Sequence, residues 1–155
     1  MPIILFDIDY TLFDTNLFKE TQLTTFRLYD EVEETLKTLK KNFRLGIFSE
    51  GDLEFQETKL KKTAIAAYFE PKFSFIVSDK RDALKELGEK LSGEEQIFMV
   101  DDKLEILADI KHAISKVKTV WVKRGFYAEH AKPIPGFAPD FSVMTIGDLP
   151  DLFVN

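Results

Sequence analysis

Short apolar runs that stop at polar residues recur along this chain, at residues 3–6, 45–48, 73–77, 97–100 and 117–122. Each has strand length and is rich in β-branched and aromatic residues, the pattern of strands buried on both faces of a parallel sheet. Between them the apolar period changes to that of a helix. Val32, Leu36 and Leu39 share one face; so do Ala83, Leu84, Leu87 and Leu91, and then Leu104, Leu107, Ala108 and Ile114. Residues 55–68 read as a further helix. Strands alternating with helices predict βαβ units, right-handed crossovers and helices on both faces of a parallel sheet. The expected fold is α/β, a three-layer α/β/α Rossmann-like arrangement. Residues 132–139, with three prolines and a glycine, read as a loop, and residues 141–144 as a late edge strand. No repeat or linker divides the pattern, so residues 1–155 are expected to form one domain.

Composition narrows the setting. With 45% hydrophobic residues, 15 of them Phe, the chain can bury a substantial aromatic core. The absence of Cys excludes a disulfide framework, a thiolate metal site and a thiol nucleophile. A net charge of −6 argues against nucleic acid or an anionic membrane as partner. No run has the length of a membrane span, and the first residues lack the order of a signal peptide. A cytoplasmic location is the expectation.

The chemistry sits where the apolar runs end. The first stops at Asp7-Ile8-Asp9-Tyr10-Thr11, the second at Ser49-Glu50-Gly51. The third leads to Ser78-Asp79-Lys80-Arg81 and the fourth to Asp101-Asp102. Ligands of open α/β sheets bind beyond the carboxyl ends of the strands, so these residues are candidates for one site. Carboxylates so placed are costly unless a cation or a reaction uses them. Two of them 4 Å apart repel by roughly 4 kcal/mol at an effective dielectric of 20. Oxygen ligands without Cys favour Mg²⁺ over zinc.

In order and position this set resembles the haloacid dehalogenase superfamily, and within it the magnesium-dependent phosphatases. Asp7-Ile8-Asp9-Tyr10-Thr11-Leu12 is similar to the first motif of that superfamily, Ser49 to the second, Lys80 to the third and Asp101-Asp102 to the fourth. The likeness runs from Ile3 to about Leu149. It departs at Tyr10, where Gly is commonest, at Arg81, where Pro is frequent, and at Glu50, where Asn is usual. The resemblance implies that Asp7 is the nucleophile, forming an aspartyl-phosphate, and that Asp9 is the general acid and base. Asp7, the Asp9 carbonyl and an acid of the Asp101-Asp102 pair would hold Mg²⁺, with Asp102 ranked above Asp101 for the direct bond. Asp101 would then bind through water or hold Lys80. Ser49 and the backbone N–H groups of Ile8 and Asp9 are the expected phosphate donors, and Gly51 belongs to the expected substrate-binding set. Lys80 would neutralise the transferring group, with Lys59 or Arg81 as candidates to share its role. Glu50 is expected to point away or to select a cationic part of the substrate. Thr11 belongs to the binding turn, more as its brace than as a contact.

Plainer roles compete at several positions. Ser49 alone would be a helix cap, and an isolated Asp-x-Asp a surface turn. His112, His130 and Glu105 read as surface residues, and Trp121 as packing at a strand end.

The intervals between motifs are short. Residues 12–30 leave room for a flap and one short helix, and residues 49–80 are filled by a helix and a strand. No sizeable cap domain is expected, so the site should be open. Such a site would take a macromolecular phosphoester, or a small phosphorylated metabolite under the roof of a second copy. Two other functions share the expected fold: a non-enzymatic module that binds a phospho-ligand, and a metal-free dehalogenase. Asp9 and the Asp101-Asp102 pair weigh against the second, because cleaving a carbon–halogen bond needs neither a proton donor nor a cation.

Overall fold

The computed structural model describes residues 1–153. Among them, six strands form one parallel sheet in the order β3-β2-β1-β4-β5-β6. The strands are β1 (Ile3–Phe6), β2 (Arg44–Glu50), β3 (Ser74–Val77), β4 (Ile97–Asp101), β5 (Lys118–Val122) and β6 (Phe141–Val143). The chain builds outward from β1 to β2 and β3, then crosses to the other side of β1 to lay down β4, β5 and β6. The strand order therefore reverses between β1 and β4. A crevice opens at such a switch point, beyond the strand ends. The register sets Phe6 beside Ile47 and Val100, so the residues that follow all three strands converge there.

Side chains of β1 alternate between two cores, and all four residues are fully buried. Ile4 and Phe6 join Val32, Leu36 and Leu39 of α2 (Val32–Leu39) on one face, together with Ile146 and Leu149 from the C-terminal turn and α7 (Leu149–Leu152). Ile3 and Leu5 join Leu87 of α4 (Leu84–Lys90) and Leu107 and Ile110 of α5 (Leu104–Ala113) on the other. The fold is thus the expected α/β sheet with helices on both faces. Between β1 and β2 lie only α1 (Thr15–Glu20), a looped flap bridged from Phe13 to Leu28, and α2. No cap domain is present among the described residues.

One expected helix is shorter than its pattern. Residues 55–68 were to form a continuous helix, but α3 runs Leu53–Lys62 and a separate 3-10 turn occupies Ala66–Tyr68. The Asp52 carboxylate caps the start by accepting the Phe55 N–H at 3.0 Å. At the other end Ala64 takes a left-handed conformation, φ 61°. The Ile65 N–H then returns to the Leu60 carbonyl and the Ala64 N–H to that of Lys61, a Schellman closure that buries Ile65. Sequence gives no sign of it, because Ala stands where Gly usually marks the stop. Phe73 likewise ends a 3-10 turn rather than starting β3. The short helix α6 (Phe126–Glu129) has no counterpart in the apolar pattern.

Candidate active site

The four strand-end segments meet in the crevice at β1 and β4. Lys80 is buried and bridges two carboxylates, with its Nζ 3.0 Å from Asp7 Oδ1 and 2.7 Å from Asp101 Oδ2. Asp101 also accepts the Lys103 N–H on its other oxygen at 2.8 Å, so both of its oxygens are engaged. Asp102 is fully buried, and neither of its carboxylate oxygens has a hydrogen-bond donor among the described residues. Its backbone carbonyl is held by the Trp121 indole N–H at 3.0 Å, which gives that half-buried ring an anchoring role beyond packing. Asp7, Asp101 and Asp102 each present an oxygen within 4.8 Å of the others.

Charge balance in this cluster is poor without a further cation. Three carboxylates face one ammonium group in a dry site. Burial, then repulsion from Asp101, pushes the Asp7 carboxyl up to about 6 against the pull of Lys80. Burial, then the charges of Asp7 and Asp101, pushes Asp102 up to about 11. Burial works to lower the Lys80 pKa, but Asp101 and Asp7 outweigh it and raise it, so the ammonium stays charged at neutral pH. Asp102 can be satisfied in two ways: as an acid donating to Asp7 or Asp101, or as a carboxylate on a metal ion. An orphaned buried carboxylate beside an all-oxygen donor set fits a hard divalent cation such as Mg²⁺. Asp7, Asp101 and Asp102 are the acids that could hold it, and the Asp9 carbonyl accepts no hydrogen bond among the described residues.

The Asp9 carboxylate has a separate set of partners. It accepts from Lys59 Nζ at 2.8 Å, Thr15 Oγ1 at 3.1 Å and Gln56 Nε2 at 3.1 Å. The same Gln56 amide donates to Ser49 Oγ at 2.8 Å. Ser49 is fully buried, with its hydroxyl proton uncommitted among the described residues. The backbone N–H groups of Ile8 and Asp9 also have no protein acceptor among the described residues, which leaves an anion-binding nest at the turn. Asp7, Asp9, Lys80 and Glu50 line a cavity of about 220 Å³, walled by Tyr10, Phe18, Phe55 and Tyr127. It adjoins a groove of about 400 Å³, and Glu50, Lys103 and Tyr127 line both.

Several expected partners stand elsewhere. The Gly51 N–H is spent on the Val77 carbonyl at 2.8 Å, where the β2–β3 ladder continues, so it is no phosphate donor. Thr11 is fully buried with an unpartnered hydroxyl and does not reach the cavity; the Ile8 side chain is buried too, leaving only its N–H. Glu50 neither points away nor stands free, since its Oε1 accepts the Lys80 N–H at 2.9 Å and ties the Lys80 loop to β2. Arg81 is on the surface, paired with Asp109 at 2.6 Å and Glu105 at 3.4 Å, so it does not share the work of Lys80. Lys59 is at the site, but on Asp9 rather than Asp7. Gln56 and Thr15 were not anticipated. Gln56, Lys59 and Leu60 form the buried stripe of α3, and two polar residues at helical spacing on an inward face were the available signal.

Residues 17–113 match the family model of haloacid dehalogenase-like hydrolases. The chain belongs to that family. The matched span holds β2, β3 and β4, three of the six strands, and begins after the Asp7-Asp9 turn. No curated protein matches this haloacid dehalogenase-like hydrolase by sequence. Solved structures do match it in fold. A protein described as a haloacid dehalogenase-like hydrolase, from Burkholderia xenovorans LB400, superposes with a TM-score of 0.78 at 23% identity, over 97% of this chain and 95% of that one. YfnB from Bacillus subtilis, a HAD hydrolase described as bound to magnesium, gives 0.79 at 13% identity over 99% of each chain. The L-2-haloacid dehalogenase of Xanthobacter autotrophicus, with chloropropionic acid covalently bound, gives 0.72 at 13% identity over 98% of each. At these identities the likeness is one of fold. A shared sheet does not fix the chemistry, so the reaction has to be argued from the site.

Proposed function

We propose that this hydrolase cleaves phosphomonoesters through an aspartyl-phosphate on Asp7, with Asp9 as general acid and base and Mg²⁺ as cofactor. The observation that carries the reading is the buried carboxylate of Asp102, both oxygens without a donor, beside Asp7 and Asp101. A dehalogenase attacking carbon has no use for a cation there; a phosphatase must neutralise the equatorial oxygens of the transferring group.

The Ile8 and Asp9 N–H groups and the Ser49 hydroxyl bind and orient the phosphate oxygens. Lys80 holds Asp7 by one oxygen and supplies a fixed positive charge beside the phosphorus. Asp7 attacks phosphorus in line as the bond to the leaving oxygen breaks, and Asp9 gives that oxygen a proton. A water then attacks the aspartyl-phosphate, Asp9 takes its proton, and inorganic phosphate departs with Asp7 restored. Because Asp9 accepts from Lys59, Gln56 and Thr15, it must release a partner to meet the leaving oxygen. A bound divalent ion would offset negative charge on the nucleophile and the phosphate.

The test is hydrolysis of p-nitrophenyl phosphate with Mg²⁺ or EDTA, beside chloride release from 2-chloropropionate. Metal-dependent phosphate release, reduced by about 10⁴-fold in Asp7→Asn, is the expected outcome. Chloride release indifferent to EDTA would establish the dehalogenase instead. Binding of phosphoesters without turnover would make this a binding module.

A further inference from the structure

Four lysines line the cavity that holds Asp7: Lys19, Lys59, Lys80 and Lys103. Two of them are answered by carboxylates, Lys80 by Asp7 and Asp101 and Lys59 by Asp9. Lys19 and Lys103 have no carboxylate partner among the described residues. Glu50, the remaining acid of the cavity wall, is turned to the Lys80 N–H. Both free ammonium groups rest on tyrosine instead. Lys19 Nζ lies 3.4 Å from the Tyr10 hydroxyl and 5.6 Å from its ring centre, and Lys103 Nζ lies 4.2 Å from the ring centre of Tyr127. The two rings meet edge to face at 5.8 Å, so Lys19, Tyr10, Tyr127 and Lys103 make one continuous arc along the cavity.

The arc is built at a cost to the backbone. Tyr10 sits at φ 63°, a left-handed conformation that a bulky side chain avoids and that persists only where the surroundings impose it. Gly125 makes the room: a Cβ there would fall 2.5 Å from the Tyr10 ring. A glycine at position 10 would relieve both constraints and would remove the hydroxyl that meets Lys19. Strain held beside a reacting group, and used to position an unpaired cation, is the mark of a binding element.

We infer that Lys19 and Lys103 form a second anion subsite over the tyrosine shelf, so that the substrate is a phosphomonoester whose leaving group carries another negative group, a carboxylate or a second phosphate. The inference rests on the phosphatase reading for what happens at Asp7, and adds what the rest of the substrate must be. With the phosphate on the Ile8–Asp9 nest, the leaving group lies over Tyr10 and Tyr127, and its anion falls to the ammonium groups. Cations already resting on ring faces lose little freedom in accepting it.

The experiment compares phenyl phosphate with 4-carboxyphenyl phosphate in the intact protein with Mg²⁺, and in the Lys19→Met, Lys103→Met double variant. The intact protein should favour the carboxylated ester by about tenfold or more in kcat/KM, chiefly through KM, with the advantage falling as salt rises. In the double variant the ratio should fall to near one. Equal rates in the intact protein, or a preference that survives both substitutions, would overturn the subsite. Running 1,4-phenylene bisphosphate beside them tells which anion is preferred. If neither ester is turned over, the phosphatase reading fails and calorimetry takes over, with phenylphosphonate and 4-carboxyphenylphosphonate as ligands. Tighter binding of the carboxylated ligand, lost in the double variant, keeps the subsite; equal binding removes it.

Discussion

Replacing Asp102 by Asn should stabilise the metal-free protein at neutral pH. In the fold the Asp102 carboxyl is pushed up to about 11 by burial and by its acidic neighbours, against an ordinary value of 3.8. A carboxyl whose pKa is raised on folding costs nothing at pH low enough for both states to be protonated. As pH rises through 3.8 the unfolded chain ionises and the folded one does not. Stability is then lost at about 1.4 kcal/mol per pH unit, and the loss continues until the pH approaches the folded value. Between pH 3.8 and about 7 the full linkage is about 4 kcal/mol. Part of that proton is shared with Asp7 and part is relieved by relaxation, so a measured gain of about 1–2 kcal/mol at neutral pH is expected for the variant. Asn cannot ionise and lacks this slope. The assay is urea unfolding followed by the fluorescence of Trp121, the one Trp in the chain and a direct contact of the Asp102 backbone. It is run in EDTA and in Mg²⁺ from about pH 5 to about pH 8, where the difference between variant and parent should widen. Mg²⁺ should reverse the order, stabilising the parent by about 2.7 kcal/mol at a hundred times its Kd and leaving the variant nearly unmoved. A variant less stable than its parent in EDTA at the upper end of that range would refute the reasoning. So would a difference that does not change with pH.

Lys80→Met should lower stability by about 3–5 kcal/mol, because it leaves Asp7 and Asp101 buried without their shared cation, and it should abolish turnover even where the protein remains folded; chemical denaturation and a p-nitrophenyl phosphate assay read the two effects. Gln56→Leu removes the amide that joins Ser49 to Asp9, and should reduce kcat about tenfold at a stability cost of about 1–2 kcal/mol, separable by steady-state kinetics beside thermal unfolding. Ala64→Gly should raise stability by about 0.5–1 kcal/mol, since Gly accepts φ 61° without the steric penalty Ala bears there; a fall in the urea midpoint would contradict the helix-stop assignment.

Apolar runs and their spacing were enough to define the strands, their parallel sheet and the absence of a cap between β1 and β2, because burial on both faces of a parallel sheet leaves an uninterrupted hydrophobic signature. The same runs marked residues that the fold brings together, since Asp7, Lys80 and the Asp101-Asp102 pair all follow the end of one. Sequence also ranked Asp102 over Asp101 as a metal ligand; in the fold Lys80 and the Lys103 N–H occupy Asp101, while neither Asp102 carboxylate oxygen has a donor among the described residues. What neighbours do to one another across the fold was not legible. Lys59 answers Asp9 instead of Asp7, Arg81 turns to the surface, and the Gly51 N–H is consumed by a strand ladder. Gln56 enters from α3 to join Asp9 to Ser49, and Tyr127 and Lys103 come from segments far along the chain to wall the cavity. Period and composition report which face a residue is on. Only packing decides which charge it meets there, because ion pairs and hydrogen bonds form over a few ångströms between residues that the chain itself holds tens of positions apart.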